Sequence, residues 1–124
     1  MPLFRRKPRI TADLYGKLMT SFGRAVDLDP FVSGPAQALA ARTLADLPGS
    51  AAAVDTRLYK GAAEYHLRLL AGSWLMVRDG SVPAQTAEVF EEAVVWKFEP
   101  LAKGAGELAH HVSTLARGEG ARVE

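Results

Sequence analysis

The sequence predicts an all-α protein, and three observations support that prediction. Apolar residues recur at spacings of three and four, which is typical of helices, and not at spacings of two. Of the 124 residues, 21 are alanine, the best helix former, whereas isoleucine occurs once. Pro and Gly divide the chain into segments of helical length. We therefore expect a single domain, a four- to five-helix bundle at 11–117, with a flexible basic arm at 1–10 and a frayed tail at 118–124.

Composition and charge exclude several classes of function. The chain has no cysteine, which excludes disulfides, thiolate metal sites and a cysteine nucleophile. Its net charge is +1, so no overall field directs it to nucleic acid or to a membrane. The sequence contains no apolar run long enough for a transmembrane segment, and no signal-peptide core follows the basic start. We expect a cytoplasmic protein without a cofactor.

The first two helices are predicted at 12–26 and 34–47. Thr11 is a suitable N-cap for the first, whose apolar residues then repeat on one face. Pro30 predicts its end, because the residue before a proline is disfavoured in the α conformation. Pro35 predicts the start of the second helix, since proline is favoured in a first turn.

The third helix is predicted to run unbroken over 51–78, a rod of roughly 42 Å at 1.5 Å per residue. It is apolar over more than half of its circumference, so it has to be covered on several sides. Two short helices offer little surface for that purpose. This long central helix therefore favours a homodimer in which a second copy covers part of it.

The last part of the chain predicts a helix pair over 83–117. Helical patterns occupy 83–98 and 101–117, and Pro100 either breaks or only kinks the chain between them. A short turn at Asp79–Gly80 precedes the pair, so we expect it to lie antiparallel to the long central helix.

A polar seam within the apolar arc of the third helix is the leading candidate for a ligand site. On one continuous helix its four members project within about 40° of each other: Asp55, Tyr59, His66 and Ser73. Buried polar groups need partners. Three interpretations remain open: hydrogen-bonded core residues, a polar pocket with His66 as ligand, base or proton sensor, and a two-fold subunit interface.

A second candidate site is the acid and histidine face of the last helix. Glu107 and His110 have the Glu-x-x-His spacing found in di-iron helical bundles, and His111 lies one turn from Glu107. These side chains project mostly away from the apolar stripe of their helix, whereas metal-bridging carboxylates project inward. The bundle therefore contains either a metal site here or an ordinary solvated helix face.

The arm is the single basic cluster in the chain. It carries four cationic side chains and no acid: Arg5, Arg6, Lys7 and Arg9. Four charges allow contact with an anionic lipid surface, an acidic partner or nucleic acid, and we expect such contact only through the arm. A solvated arm is the simpler interpretation.

Two classes of function remain open. The first is a non-catalytic protein-interaction or regulatory module that acts as a homodimer, with an unidentified protein as a further partner. The second is a small-molecule or metal-binding bundle, with or without enzymatic activity, that uses the polar seam or the last helix. The sequence contains no catalytic motif, which favours the first class.

Overall fold

The computed structural model describes residues 9–55, 61–100 and 104–118. Within these ranges every regular element is a helix, and the prediction of an all-α protein is confirmed. The six helices of the described chain are α1 (Ala12–Asp27), α2 (Pro30–Asp46), α3 (Pro48–Asp55), α4 (Ala62–Arg78), α5 (Ala84–Phe98) and α6 (Ala105–Arg117). None of them combines the length and the apolar character that a membrane span requires.

Helix α1 follows the prediction closely, whereas α2 begins four residues before its predicted start. The Thr11 hydroxyl accepts a hydrogen bond from the Leu14 N–H at 3.1 Å and caps α1. Asp29 caps α2 in the same way, with its carboxylate 3.0 Å from the Phe31 nitrogen and Pro30 at the first helical position. Pro35 therefore lies inside α2 and does not begin it. Proline has no N–H to donate to the carbonyl one turn earlier. This part of the helix is exposed, so water can donate a hydrogen bond to that carbonyl instead.

The predicted unbroken helix over 51–78 is wrong. Helix α3 ends at Asp55, and α4 begins at Ala62, directly after Gly61. Gly61 has φ +91°, a left-handed conformation that glycine adopts without steric cost. Helix α4 has 17 residues, so it is about 25 Å long and not 42 Å.

Of the two alternatives predicted at Pro100, the structure shows a break between two helices and not a kink within one helix. Helix α5 ends at Phe98 and α6 begins at Ala105. The Glu99 carboxylate accepts the Gly106 N–H at 2.7 Å and joins the two helix ends. The described chain therefore holds six helices where four or five were predicted.

Helix α4 lies at the centre of the core and packs against the other five helices. Eleven of its 17 residues are buried. Its start lies near the end of α5, where the His66 and Phe98 rings are 4.4 Å apart. Its end lies near the end of α6, where the Arg78 guanidinium donates to the Ala116 carbonyl at 3.2 Å. Helix α6 is thus parallel to α4, unlike the antiparallel arrangement predicted for the whole 83–117 unit.

Candidate functional site

His66, in the second turn of α4, is the most deeply buried ionisable side chain among the candidate residues that the structure describes, with 6% of its surface exposed. Its Nδ1 lies 2.8 Å from the Ala62 carbonyl, one turn earlier in the same helix. A carbonyl only accepts, so Nδ1 carries the proton and Nε2 is the acceptor of a neutral ring. The Tyr15 hydroxyl of α1, 2.6 Å away, donates to that Nε2. The interior position predicted for His66 is confirmed, and both of its nitrogens are hydrogen-bonded.

The surroundings of His66 favour its neutral form. Phe98 and Tyr65 meet the imidazole edge-on, and the Tyr15 ring is nearly parallel to it at 6.0 Å between centroids. Burial lowers the pKa of His66 below its usual 6.5. The hydrogen bond to Ala62 opposes this shift, and the positive charge of Lys97 adds to it. The ring is therefore a neutral hydrogen-bonding group at pH 7.

A small cavity of about 20 Å³ lies beside the imidazole. That volume holds about one water molecule. Apart from His66 its walls are apolar, and they include Val54, Leu67, Val94, Phe98, Ala105 and Leu108. In this conformation the cavity is too small for an organic ligand, and both imidazole nitrogens already have partners.

The alignment predicted for the four seam residues depended on one unbroken helix, and the described chain breaks that helix at Gly61. The side chains of Asp55 and Tyr59 lie outside the described part of the chain, so their predicted role stays a prediction. Ser73 is fully buried, but its hydroxyl donates to the Leu70 carbonyl of its own helix at 2.6 Å. His66 and Ser73 therefore share no partner, and the ligand role of either residue stays a prediction.

The acid and histidine residues of α6 contact three different helices. Glu107 accepts a hydrogen bond from the Ser50 hydroxyl of α3. His111 bonds to the Asp46 carboxylate of α2 at 2.9 Å, an interaction that lowers the pKa of Asp46. His110 lies 3.9 Å from the Glu91 carboxylate of α5. Across 9–55, 61–100 and 104–118, no three histidine or acidic side chains group closely enough to hold a metal ion.

The basic arm falls largely outside the described residues. Arg5, Arg6 and Lys7 belong to that undescribed part, and Arg9 is exposed. An anionic partner for these four residues stays a prediction.

Sequence reasoning did not single out the corner where α1 meets α2. Phe31 is 89% exposed and Leu28 is 77% exposed, although both are large apolar side chains. An open groove of about 480 Å³ lies beside Phe31, with Val32, Pro35, Leu75 and Arg78 among its walls. A signal was present in the sequence: the two residues flank the helix stop at Asp29–Pro30, where no periodic face requires an apolar side chain.

Comparison with known proteins adds nothing to this geometry. No family model, curated protein or solved structure matches the chain. Its function therefore has to be inferred from the residues described above.

Proposed function

We propose that this chain is a non-catalytic protein-interaction module that acts as a homodimer, with the corner between α1 and α2 as its contact surface. The observation that carries the proposal is the exposure of Phe31 and Leu28, three residues apart on one corner. Single exposed apolar residues are ordinary on protein surfaces, but neighbouring ones beside a groove mark interaction sites.

Local structure supports an outward direction for Phe31. Its N–H is held by the Asp29 cap at the start of α2. The next residue, Val32, is buried, and neighbouring residues of a helix point about 100° apart. Phe31 therefore cannot turn into the core without moving Val32 out of it.

An apolar projection next to a groove suits a two-fold interface. In such an interface each copy contributes the same surface, so Phe31 of one copy can enter the groove of the other and the reverse. The residues that line the groove include both signs of charge, namely Arg78, Asp29 and Asp79. A surface that carries both signs of charge can be complementary to a second copy of itself.

The expected affinity is modest. Burying one Phe or Leu side chain contributes roughly 1.5–3 kcal/mol, and a two-fold contact buries two of each. Association itself costs about 4–15 kcal/mol in lost freedom of motion. We therefore expect a dissociation constant in the micromolar range or weaker, so that the dimer population depends on concentration.

Sedimentation velocity between 5 and 500 μM, concentrations chosen to bracket this weak affinity, tests the proposal. Wild-type protein should shift from about 13.3 kDa toward twice that mass as concentration rises. Phe31→Ser should remain monomeric throughout. The matched control is Trp96→Ser, which removes another exposed aromatic ring, packed against Tyr15 some 20 Å along α1 from the corner. A wild-type monomer at every concentration, or equal dimerisation of Phe31→Ser, would refute the proposal.

A further inference from the structure

The N-terminal half of α1 is less buried than its C-terminal half, although Leu18 and Met19 pack half-buried against the core and the Tyr15 ring contacts Trp96. The buried residues of this helix are Phe22, Gly23 and Val26, all in its second half. Residues 12–21 include half-buried side chains but no buried one. The Tyr15 hydroxyl reaches from this half into the core and donates to His66. Segments with few buried contacts open at low free-energy cost, so this hydrogen bond matters more here than it would in a well-packed helix.

We propose that the Tyr15–His66 contact is an acid-sensitive latch, and that protonation of His66 releases the N-terminal half of α1 from α4. This device is independent of the proposed homodimer, because it depends on contacts within one chain. It assigns to His66 the role of a proton sensor.

The described groups around the imidazole solvate a positive charge poorly. Helix α1 contributes the Tyr15 hydroxyl, and α5 contributes the Phe98 ring and the cation of Lys97. Helix α4 itself adds the Tyr65 ring, whereas the carboxylate of its Glu64 is bound by Gln37 of α2 in an exposed contact and is not among the charges that shift the pKa of His66. From α3 and α6 the described cavity walls beside the ring are apolar, namely Val54, Ala105 and Leu108. The Tyr15 hydroxyl could rotate to accept from a protonated Nε2, but one neutral acceptor does not replace water around an imidazolium.

Release of α1 removes this penalty, because Tyr15 then leaves and water reaches the ring. The open form therefore binds a proton more tightly than the closed form, which agrees with the lowered pKa of His66 in the closed form. The latch is fully stabilising above pH 6.5, the usual pKa of histidine, and weakens as the pH falls below that value. Below it, the ratio of open to closed molecules rises by up to about tenfold per pH unit.

Hydrogen exchange at pH 7.5 and pH 5.0, corrected for the intrinsic pH dependence of exchange, tests the latch. Amides of residues 15–21 in the wild-type protein should lose protection at the lower pH, by up to about thirtyfold. Amides in the mostly buried stretch Leu69–Met76 of α4 serve as the internal reference and should remain better protected than residues 15–21 at both pH values, because core amides exchange only through larger unfolding. Unchanged protection of residues 15–21 would overturn the proposal.

Two variants identify the titrating group. His66→Gln cannot take up a proton at these pH values, so its residues 15–21 should show equal protection at both. His111→Gln is the matched control, because His111 lies at a half-exposed site bonded to Asp46, and its response should equal that of the wild type. A pH response that persists in His66→Gln would overturn the proposal.

An NMR titration of the His66 ring in the wild-type protein needs no variant and keeps the test valid if His66→Gln fails to fold. We expect an apparent pKa below 6.5. A value at or above 6.5 would mean that acid does not weaken the contact, which also overturns the proposal.

Discussion

His66 is one of three histidines, and each has different surroundings. His66 is buried and bonded on both nitrogens, His111 is half-exposed against Asp46, and His110 is exposed. The interior position of His66 follows from its spacing among apolar residues of α4. Its partner could not be predicted, because Tyr15 lies 51 residues earlier and an apolar pattern does not state which helices meet.

Removing the Tyr15 hydroxyl should therefore destabilise the protein. Tyr15→Phe keeps the ring but leaves the buried Nε2 of His66 without its donor. We expect a loss of about 1–2 kcal/mol in the free energy of unfolding, measured by urea denaturation at pH 7.5. Tyr65→Phe is the control, because that ring meets the same imidazole edge-on without a hydrogen bond to it. Equal losses for both variants would contradict this account.

At the scale of the helix, the close approach of α1 to α4 depends on Gly72, which the sequence alone does not distinguish from other helix glycines. Helix α1 crosses α4 where Val26 lies against Gly72, and a methyl group added at Gly72 would overlap the Val26 side chain. Gly16 of α1 has no other atoms near the position of an added methyl. Both are glycines in helix interiors, so only the tertiary contact distinguishes them.

Alanine at these two positions should change stability in opposite directions. Gly72→Ala should lower the free energy of unfolding by about 1–3 kcal/mol, because the crossing of α1 and α4 must widen. Gly16→Ala should raise it by about 0.5–1 kcal/mol, because alanine is the better helix former and the site is open. Urea denaturation measures both. A stabilising Gly72→Ala would show that α1 does not cross α4 at this point.

At the scale of the whole molecule, a single chain covers the central helix without a second subunit. The apolar circumference of the predicted third helix favoured a second subunit that covers part of it. In the structure α4 is shorter than predicted, and the other five helices cover it within one chain. The homodimer we propose therefore depends on the exposed corner at Leu28 and Phe31 and not on α4.

Dissociation of that dimer should not unfold the protein. Phe31→Ser removes a side chain that is 89% exposed, so its free energy of unfolding should lie within about 0.5 kcal/mol of the dilute wild-type protein. Urea midpoints at low and high protein concentration give the comparison. An unfolded Phe31→Ser variant would indicate that the core needs the second copy after all.

The sequence by itself determined what depends on neighbours along the chain. Periodicity and the Thr11 cap predicted the helical class and the bounds of α1, and periodicity predicted those of α5. Their physical basis is local, since hydrogen bonds within a helix and its caps involve residues three or four apart. Gly61 was a local signal too, but a glycine inside an apolar pattern is compatible with a continuous helix as well as with a break.

Only the tertiary structure decided which faces meet. In the folded chain His66 bonds to Tyr15, and Phe31 stays exposed. Three residues of α6 contact three different helices: Glu107, His110 and His111. Periodicity describes the faces of one helix at a time. Which faces pack together is decided by where each helix ends and by how closely two helices can approach. In this chain the left-handed conformation of Gly61 precedes the start of α4, and the close contact of Gly72 with Val26 limits the approach of α1 to α4.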